Sequence, residues 1–408
     1  MHEEATMRRK IKFIVIAVVV AIIALPLGGL AWRSSLQDEV ARARAISSPG
    51  GIDTLDVVDI GGTRQAIRVR GRDRSSPVLL FVHGGPGTPM MPFAHVFQDS
   101  WEEHFVVVNW DQRGAGKTYY LNDVEKTKAS MSFERMQADV LEMTNYLRKR
   151  FAQQKIFIIG HSFGSQISLP VVKSHPELYY AFIGTGQIIN GIRGNQNTFD
   201  HTLLLAEKMG HKDAVRELKA VGGALTSENA LKDPKAWNHA VGVLQYWNQE
   251  FGESMFGYTS RAEPMAKFAL QSPDYSLKDI WILMNVDWDL YAPLYQPRMA
   301  FDAYAFGKTW EVPLFLLEGR FDWQINHVHA KEFYDFVEAP HKEYYYFERS
   351  AHAPMVEDKD RFSEVLIKRV RPLAGDRPLE PVTSFGEHWV NAEHHGRQWK
   401  AVGPSWTP

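Results

Sequence analysis

From Thr54 to about Val370 the chain alternates short apolar runs with longer amphipathic stretches. Residues 54–60 and 65–69 read as two strands, and the Gly61-Gly62 pair between them suits a hairpin turn. Val78-Leu79-Leu80-Phe81-Val82 carries no polar side chain, and residues 156–159 and, but for Asn109, 105–110 are runs of the same kind. Such runs predict strands buried on both faces of a parallel sheet. Ser132 stands where it caps a helix over 132–151, although Arg135 is not the ideal capping-box partner. Another helix is expected before Ser174. The alternation stops near Gly184, and helical stretches dominate to about Lys308. The strand pattern returns at 312–317 and 343–347, with helices over 331–337 and 359–370.

This pattern predicts an α/β fold: a mixed, mostly parallel sheet of about eight strands with helices on both faces. The sheet domain has two parts, 51–184 and 312–371, and a helical cap (185–311) is inserted between them. Residues 372–408 follow no clear period. No internal repeat is visible.

The first residues differ in kind. Met7-Arg8-Arg9-Lys10 and Lys12 form a basic lead, and residues 13–32 carry no charge. That run is about twenty residues long, enough for a helix to cross roughly 30 Å of hydrocarbon. Basic residues ahead of it predict a membrane anchor over 1–32 with the bulk of the chain outside the cytoplasm. Pro26 and the small-residue sequence Gly29-Leu30-Ala31 also admit a cleaved signal peptide. Residues 33–50 read as a linker.

Composition narrows the chemistry. The chain is 45% hydrophobic and 23% charged, with a formal charge of -2, so no nucleic-acid partner is expected. It has no cysteine, which removes disulfides, thiolate metal sites and a cysteine nucleophile together.

The strongest local signal is Gly160-His161-Ser162-Phe163-Gly164, set between a buried strand and a helix. A serine on that tight turn exposes its hydroxyl, and the glycines remove side chains that would collide there. A hydroxyl needs a base, and the base needs an orienting acid. Asp322, after the strand at 312–317, and His352, after the strand at 343–347, follow in the required order. Glu318 is a rival acid. His327, His329 and His341 are rival bases, but they fall in a predicted helix or just before a strand. The Phe163 amide and Gly85, within His83-Gly84-Gly85-Pro86-Gly87, are candidate oxyanion donors. No metal and no organic cofactor is expected. Gly114-Ala115-Gly116-Lys117-Thr118 ends like a phosphate loop but lacks its leading glycine. His388, His394 and His395 have no fixed ligand spacing.

Taken together, the run from His83 to Gly87, Trp110-Asp111-Gln112-Arg113-Gly114, the serine turn, Gly319 to Asp322 and Ala351-His352 resemble the proline iminopeptidase group of α/β hydrolases, over roughly residues 50–370. The resemblance implies an α/β-hydrolase fold and release of an N-terminal residue from a short peptide or similar small molecule through an acyl-enzyme on Ser162. It implies that Asp111 and Arg113 support the site. It also implies cap glutamates that bind the free amine, and Glu250, with Trp247 beside it, is the nearest match in type. Two departures stand out: His161 and Phe163 flank the serine where the group has other residues, and the spacing around Glu250 differs. A carboxylesterase or lipase-like activity is therefore a rival, and a non-catalytic binding protein is a rival of another class.

Overall fold

The hairpin and the buried runs assemble into one sheet. The structure is a computed structural model and describes residues 2–225, 232–256 and 262–375. Its strands are β1 (Ile52–Ile60), β2 (Thr63–Gly71), β3 (Val78–Val82), β4 (Val106–Asp111), β5 (Ile156–His161), β6 (Tyr179–Thr185), β7 (Leu314–Gly319) and β8 (Lys342–Phe347). They lie in the order β1-β2-β4-β3-β5-β6-β7-β8. Only β2 runs against its neighbours, and every pair from β4 to β8 is parallel. Gly61 and Gly62 turn between β1 and β2 with φ of 58° and 72°, a conformation open to glycine and costly for other residues.

The apolar runs are buried on two faces because successive side chains point to opposite sides of a strand. Val78, Leu80 and Val82 enter one core cluster, whereas Leu79 and Phe81 enter the other. Of the helices, α1 spans His2–Ala43, α2 Phe133–Phe151 and α3 Phe163–Ser174. Ser132 caps α2 by accepting from the Arg135 N–H at 3.0 Å. Arg135 does not close a capping box; its side chain turns to Asp139 and Glu142.

Between β6 and β7 the chain is helical. There α4 (Gly191–Lys208), α5 (Lys212–Val221) and α6 (Pro234–Glu250) surround a separate apolar cluster built on Phe199, Trp237, Leu244 and Trp247. Then α7 (Leu277–Met284) begins at a capping box of Ser276 and Asp279. After β7 come α8 (His327–Phe336), β8 and α9 (Lys359–Val365), the last running into a π-turn over Leu366–Val370.

The N-terminal segment departs from expectation. The stretch 33–50, read as a linker, is helical to Ala43 and fastened to the body. Arg33 donates to the Tyr275 carbonyl at 2.6 Å and Gln37 to that of Ser272 at 2.5 Å. Arg44, buried, pairs with Asp99 and Glu102. These partners are distant in sequence, which is why the stretch reads as unstructured from sequence alone. Among the described residues, no helix is long and apolar enough to cross a membrane. The side chains of residues 13–23, most of the expected anchor, lie outside the described set, as do His388, His394 and His395.

Candidate active site

The parallel strands β3, β5, β6, β7 and β8 deliver their C-terminal ends to one edge of the sheet, where loops carrying chemistry collect. Ser162 lies there between β5 and α3, with φ 53° and ψ -124°. A positive φ is a strained state for a residue with a side chain. Local bonds hold it: the Ser162 N–H donates to the Thr185 carbonyl at 3.0 Å, and the Ser162 carbonyl accepts from the Ser165 N–H at 2.8 Å. Gly164 makes the turn possible, since a Cβ there would sit 2.0 Å from the Val82 carbonyl oxygen.

Asp322 and His352 meet. His352 Nδ1–H donates to Asp322 Oδ2 at 2.7 Å, and Asp322 Oδ1 accepts from the Ile325 N–H at 2.9 Å. Both side chains are fully buried, and His352 Nε2 is enclosed without a hydrogen-bonding partner. Gly186 leaves the room: a Cβ on it would stand 2.7 Å from His352 Cε1. His161 Nε2–H donates to the His352 carbonyl at 2.9 Å, tying the residue before Ser162 to the histidine loop. This contact gives the unusual His161 a physical role.

The glycine loop after β3 lies against the serine. A Cβ on Gly84 would come within 2.7 Å of Ser162 Cβ and 3.2 Å of its Oγ. Gly85 follows at φ 107°. Phe163 opens α3, so its N–H has no acceptor inside the helix. His83 braces the loop: Nδ1–H donates to the Gly84 carbonyl at 2.8 Å and Nε2 accepts from the Gln112 N–H at 3.2 Å. Burial lowers the His83 imidazole to about 4, so it is neutral in this role.

Asp111 and Arg113 are buried, and their hydrogen bonds go elsewhere than to Ser162, Asp322 or His352. Arg113 makes a two-pronged ion pair with Asp139 at 2.9 and 3.0 Å. Asp111 accepts from the Lys117 N–H at 2.8 Å and the Tyr275 hydroxyl at 2.5 Å. Burial raises the Asp111 carboxyl to about 7.

Three further carboxyls gather near Asp322. Glu318 is buried in β7 and accepts from the Gln187 N–H at 3.1 Å. Burial pushes it well above the ordinary carboxylate range, and the Asp322 carboxylate adds to the shift. No hydrogen bond joins it to His352. Glu357 accepts from the N–H groups of Ala351 and Ala353 at 3.0 Å each, and from that of Phe256. Burial raises it to about 7. Glu253 is raised by burial too; it pairs with His201 at 2.5 Å, and His201 stacks on Trp323 at 3.6 Å between rings.

The rival histidines have other partners. His327 Nδ1–H donates to the Asp322 carbonyl at 3.0 Å, His329 meets Asn197 at 2.8 Å, and His341 meets Glu343 at 2.7 Å. Trp247 packs in the apolar cluster of α4, α5 and α6 and donates to Glu217 at 3.1 Å, while Glu250, half-buried, ends α6. Glu253, three residues on, is the acid nearer to Asp322, reaching it through Trp323, whose N–H donates to the Glu253 carbonyl at 3.2 Å. Neither Glu253 nor Glu357 carries a sequence signal, because each meets the site only through tertiary contacts.

Residues 73–211 match a family model described as Hydrolase_4, serine aminopeptidase, S33. The chain is 27% identical over 322 residues to the Bacillus subtilis (strain 168) protein named "Probable aminopeptidase YbaC", covering 78% of this chain and 97% of that one. A shorter match, 31% identical over 122 residues, is to the proline iminopeptidase of Arabidopsis thaliana, covering 30% of this chain and 28% of that protein. Among solved structures, the proline iminopeptidase of Mycobacterium smegmatis superposes with a TM-score of 0.55 at 12% identity, over 78% of this chain and 98% of that one. At that identity the likeness speaks to the fold alone.

Proposed function

From the premise that this chain is an α/β hydrolase of proline iminopeptidase-like kind, we propose that it releases N-terminal residues from short peptides through an acyl-enzyme on Ser162. One observation carries the reading: His352 is bound to Asp322 through Nδ1 at 2.7 Å while its Nε2 is left without a partner. That is the tautomer a general base needs.

In this mechanism His352 Nε2 takes the proton from Ser162 Oγ as the hydroxyl attacks the scissile carbonyl. The N–H groups of Gly85 and Phe163 receive the developing oxyanion. His352 then passes its proton to the departing amine, and water releases the acyl group by the reverse proton path. Asp322 orients the imidazole and stabilises its charged form. Residues 185–311 serve as the cap, and Glu253 is the cap carboxylate assigned to the substrate's free amine. The basic lead and the apolar run 13–32 support export, with the helix retained as an anchor.

The test compares a prolyl arylamide, its N-blocked form and an acyl ester, with fluorophosphonate labelling in parallel. Labelling that vanishes in Ser162→Ala, and turnover of the free arylamide that collapses on N-blocking, are the expected results. Turnover of the ester regardless of an amine would identify a carboxylesterase instead. An unlabelled Ser162 in a folded protein would leave only a binding role. Fractionation of the tagged full chain tests the anchor: recovery in the soluble fraction without detergent overturns it.

A further inference from the structure

Near the glycine loop, which Arg298 links to it, lies a small cleft of ≈ 40 Å³ that opens to solvent. Its wall includes Gln166 of α3, Gln187 after β6, Trp237 of α6 and Arg298 of the short helix Tyr295–Ala300. Arg298 is an odd residue to find there. Its guanidinium stands 5.3 Å over the Phe163 ring, and one Nη donates a long bond, 3.4 Å, to the Gly85 carbonyl. Its Nε is enclosed with no hydrogen-bonding partner. Among the described residues no carboxylate pairs with it, although nearly every other enclosed arginine here has one, as Arg44, Arg70 and Arg113 do. A guanidinium partly withdrawn from water without a counter-ion is costly. Burial lowers the guanidinium to about 10, which still leaves it charged at neutral pH.

Gln166 stands next to Arg298: its amide nitrogen donates to the Arg298 carbonyl at 3.1 Å and its Oε1 is enclosed and unpartnered. Gln187 Oε1 instead lies against Gly184 of β6. An arginine without a counter-ion on this wall fits a ligand group that presents an anion.

We infer that this cleft is a leaving-group subsite in which Arg298 binds the free C-terminal carboxylate of a short peptide. The inference rests on the aminopeptidase reading above. On that reading the C-terminal carboxylate is the one main-chain anion of a dipeptide, and it rides on the departing residue. A charge-assisted bond to Arg298 then favours substrates that end soon after the scissile bond.

The experiment measures kcat/KM for prolyl-alanine and for prolyl-alanine amide. The native protein is expected to prefer the free carboxylate by about tenfold or more, the usual weight of one charged hydrogen bond. Arg298→Met should bring that ratio to within about twofold of unity, and Arg298→Lys should keep a several-fold preference. A native ratio near unity, a ratio that survives Arg298→Met, or an equal loss on both substrates overturns the subsite. If Arg298→Met does not fold, inhibition of the native protein decides: N-acetylalanine must inhibit at least about tenfold more tightly than its amide. Fluorophosphonate labelling of Ser162 separates the two failures. Labelling and turnover without a carboxylate preference sink the subsite alone, whereas no labelling and no turnover sink the hydrolase reading and this inference with it.

Discussion

A single carboxylate oxygen of Glu357 grips the chain on both sides of His352: Oε2 accepts from the N–H of Ala351 and from that of Ala353, each at 3.0 Å. Oε1 accepts from Phe256, so the histidine loop is clamped to the cap as well. In the proposed mechanism Glu357 touches no reacting atom and serves as a positioning residue. Glu357→Ala should lower kcat by about tenfold or more with KM little changed, because a small misplacement of the base is costly. Steady-state kinetics check it, and Glu357→Gln, which keeps an acceptor oxygen, should recover part of the loss.

On the proposed mechanism, substitution of Ser162 or Asp322 should be far more severe. Ser162→Ala is expected to lose more than about 10³-fold in kcat, and Asp322→Asn about 10⁴-fold, since an amide holds the imidazole in the wrong tautomer. Single-turnover assays at matched protein concentration measure both. Retention of fold, by circular dichroism, is the control.

Gly164 should tolerate no side chain. With Val82 O 2.0 Å from a new Cβ, Gly164→Ala must push α3 away from β3, and both are backbone. A loss of stability on the order of 3 kcal/mol is expected, at the upper end of overpacking costs. Urea unfolding reads it directly. Gly84→Ala should cost activity first, because its Cβ would press on Ser162 at 2.7 Å.

Asp111 should set part of the pH dependence of stability. Its carboxyl is raised on folding from 3.8 to about 7, burial outweighing the bonds from Tyr275 and Lys117. A group raised on folding contributes its stability below its unfolded value and loses it as pH climbs through the folded one. Stability should therefore fall between about pH 4 and 7 on this account. Asp111→Asn, which cannot ionise, should flatten that segment of the Tm–pH curve. An unchanged slope would remove Asp111 from the role.

The legible parts of this chain are those encoded locally. Val78–Val82 could be bounded to the residue because a run with no polar side chain fits only a strand buried on both faces. The proximity of Asp322 and His352 followed from strand ends sharing one edge of the sheet. Long-range polar contacts were invisible. Glu357 and Glu253 are ordinary acids in sequence, and only folding brings each beside Asp322 or the loop of His352. Trp247 misled in the opposite direction: an aromatic near an acid suggested a binding motif, yet its ring fills the core of the helical insertion. The stretch after residue 32 looked like a tether because its anchors, Tyr275 and Ser272, lie over two hundred residues away.

That fastening decides where the protein can be shortened. Arg44 and Arg70 share one oxygen of Glu102, all three buried, and Arg70 also reaches Asp53 at 2.6 Å. A fragment beginning at Arg33 keeps this arrangement whole and retains the hold on Tyr275. One beginning at Gly51, the apparent start of the globular part, strips Glu102 of a neutralising partner and Arg70 of the Arg44 carbonyl. The shorter fragment should express poorly and melt earlier, so the useful fragment is the one that starts nineteen residues before its first strand.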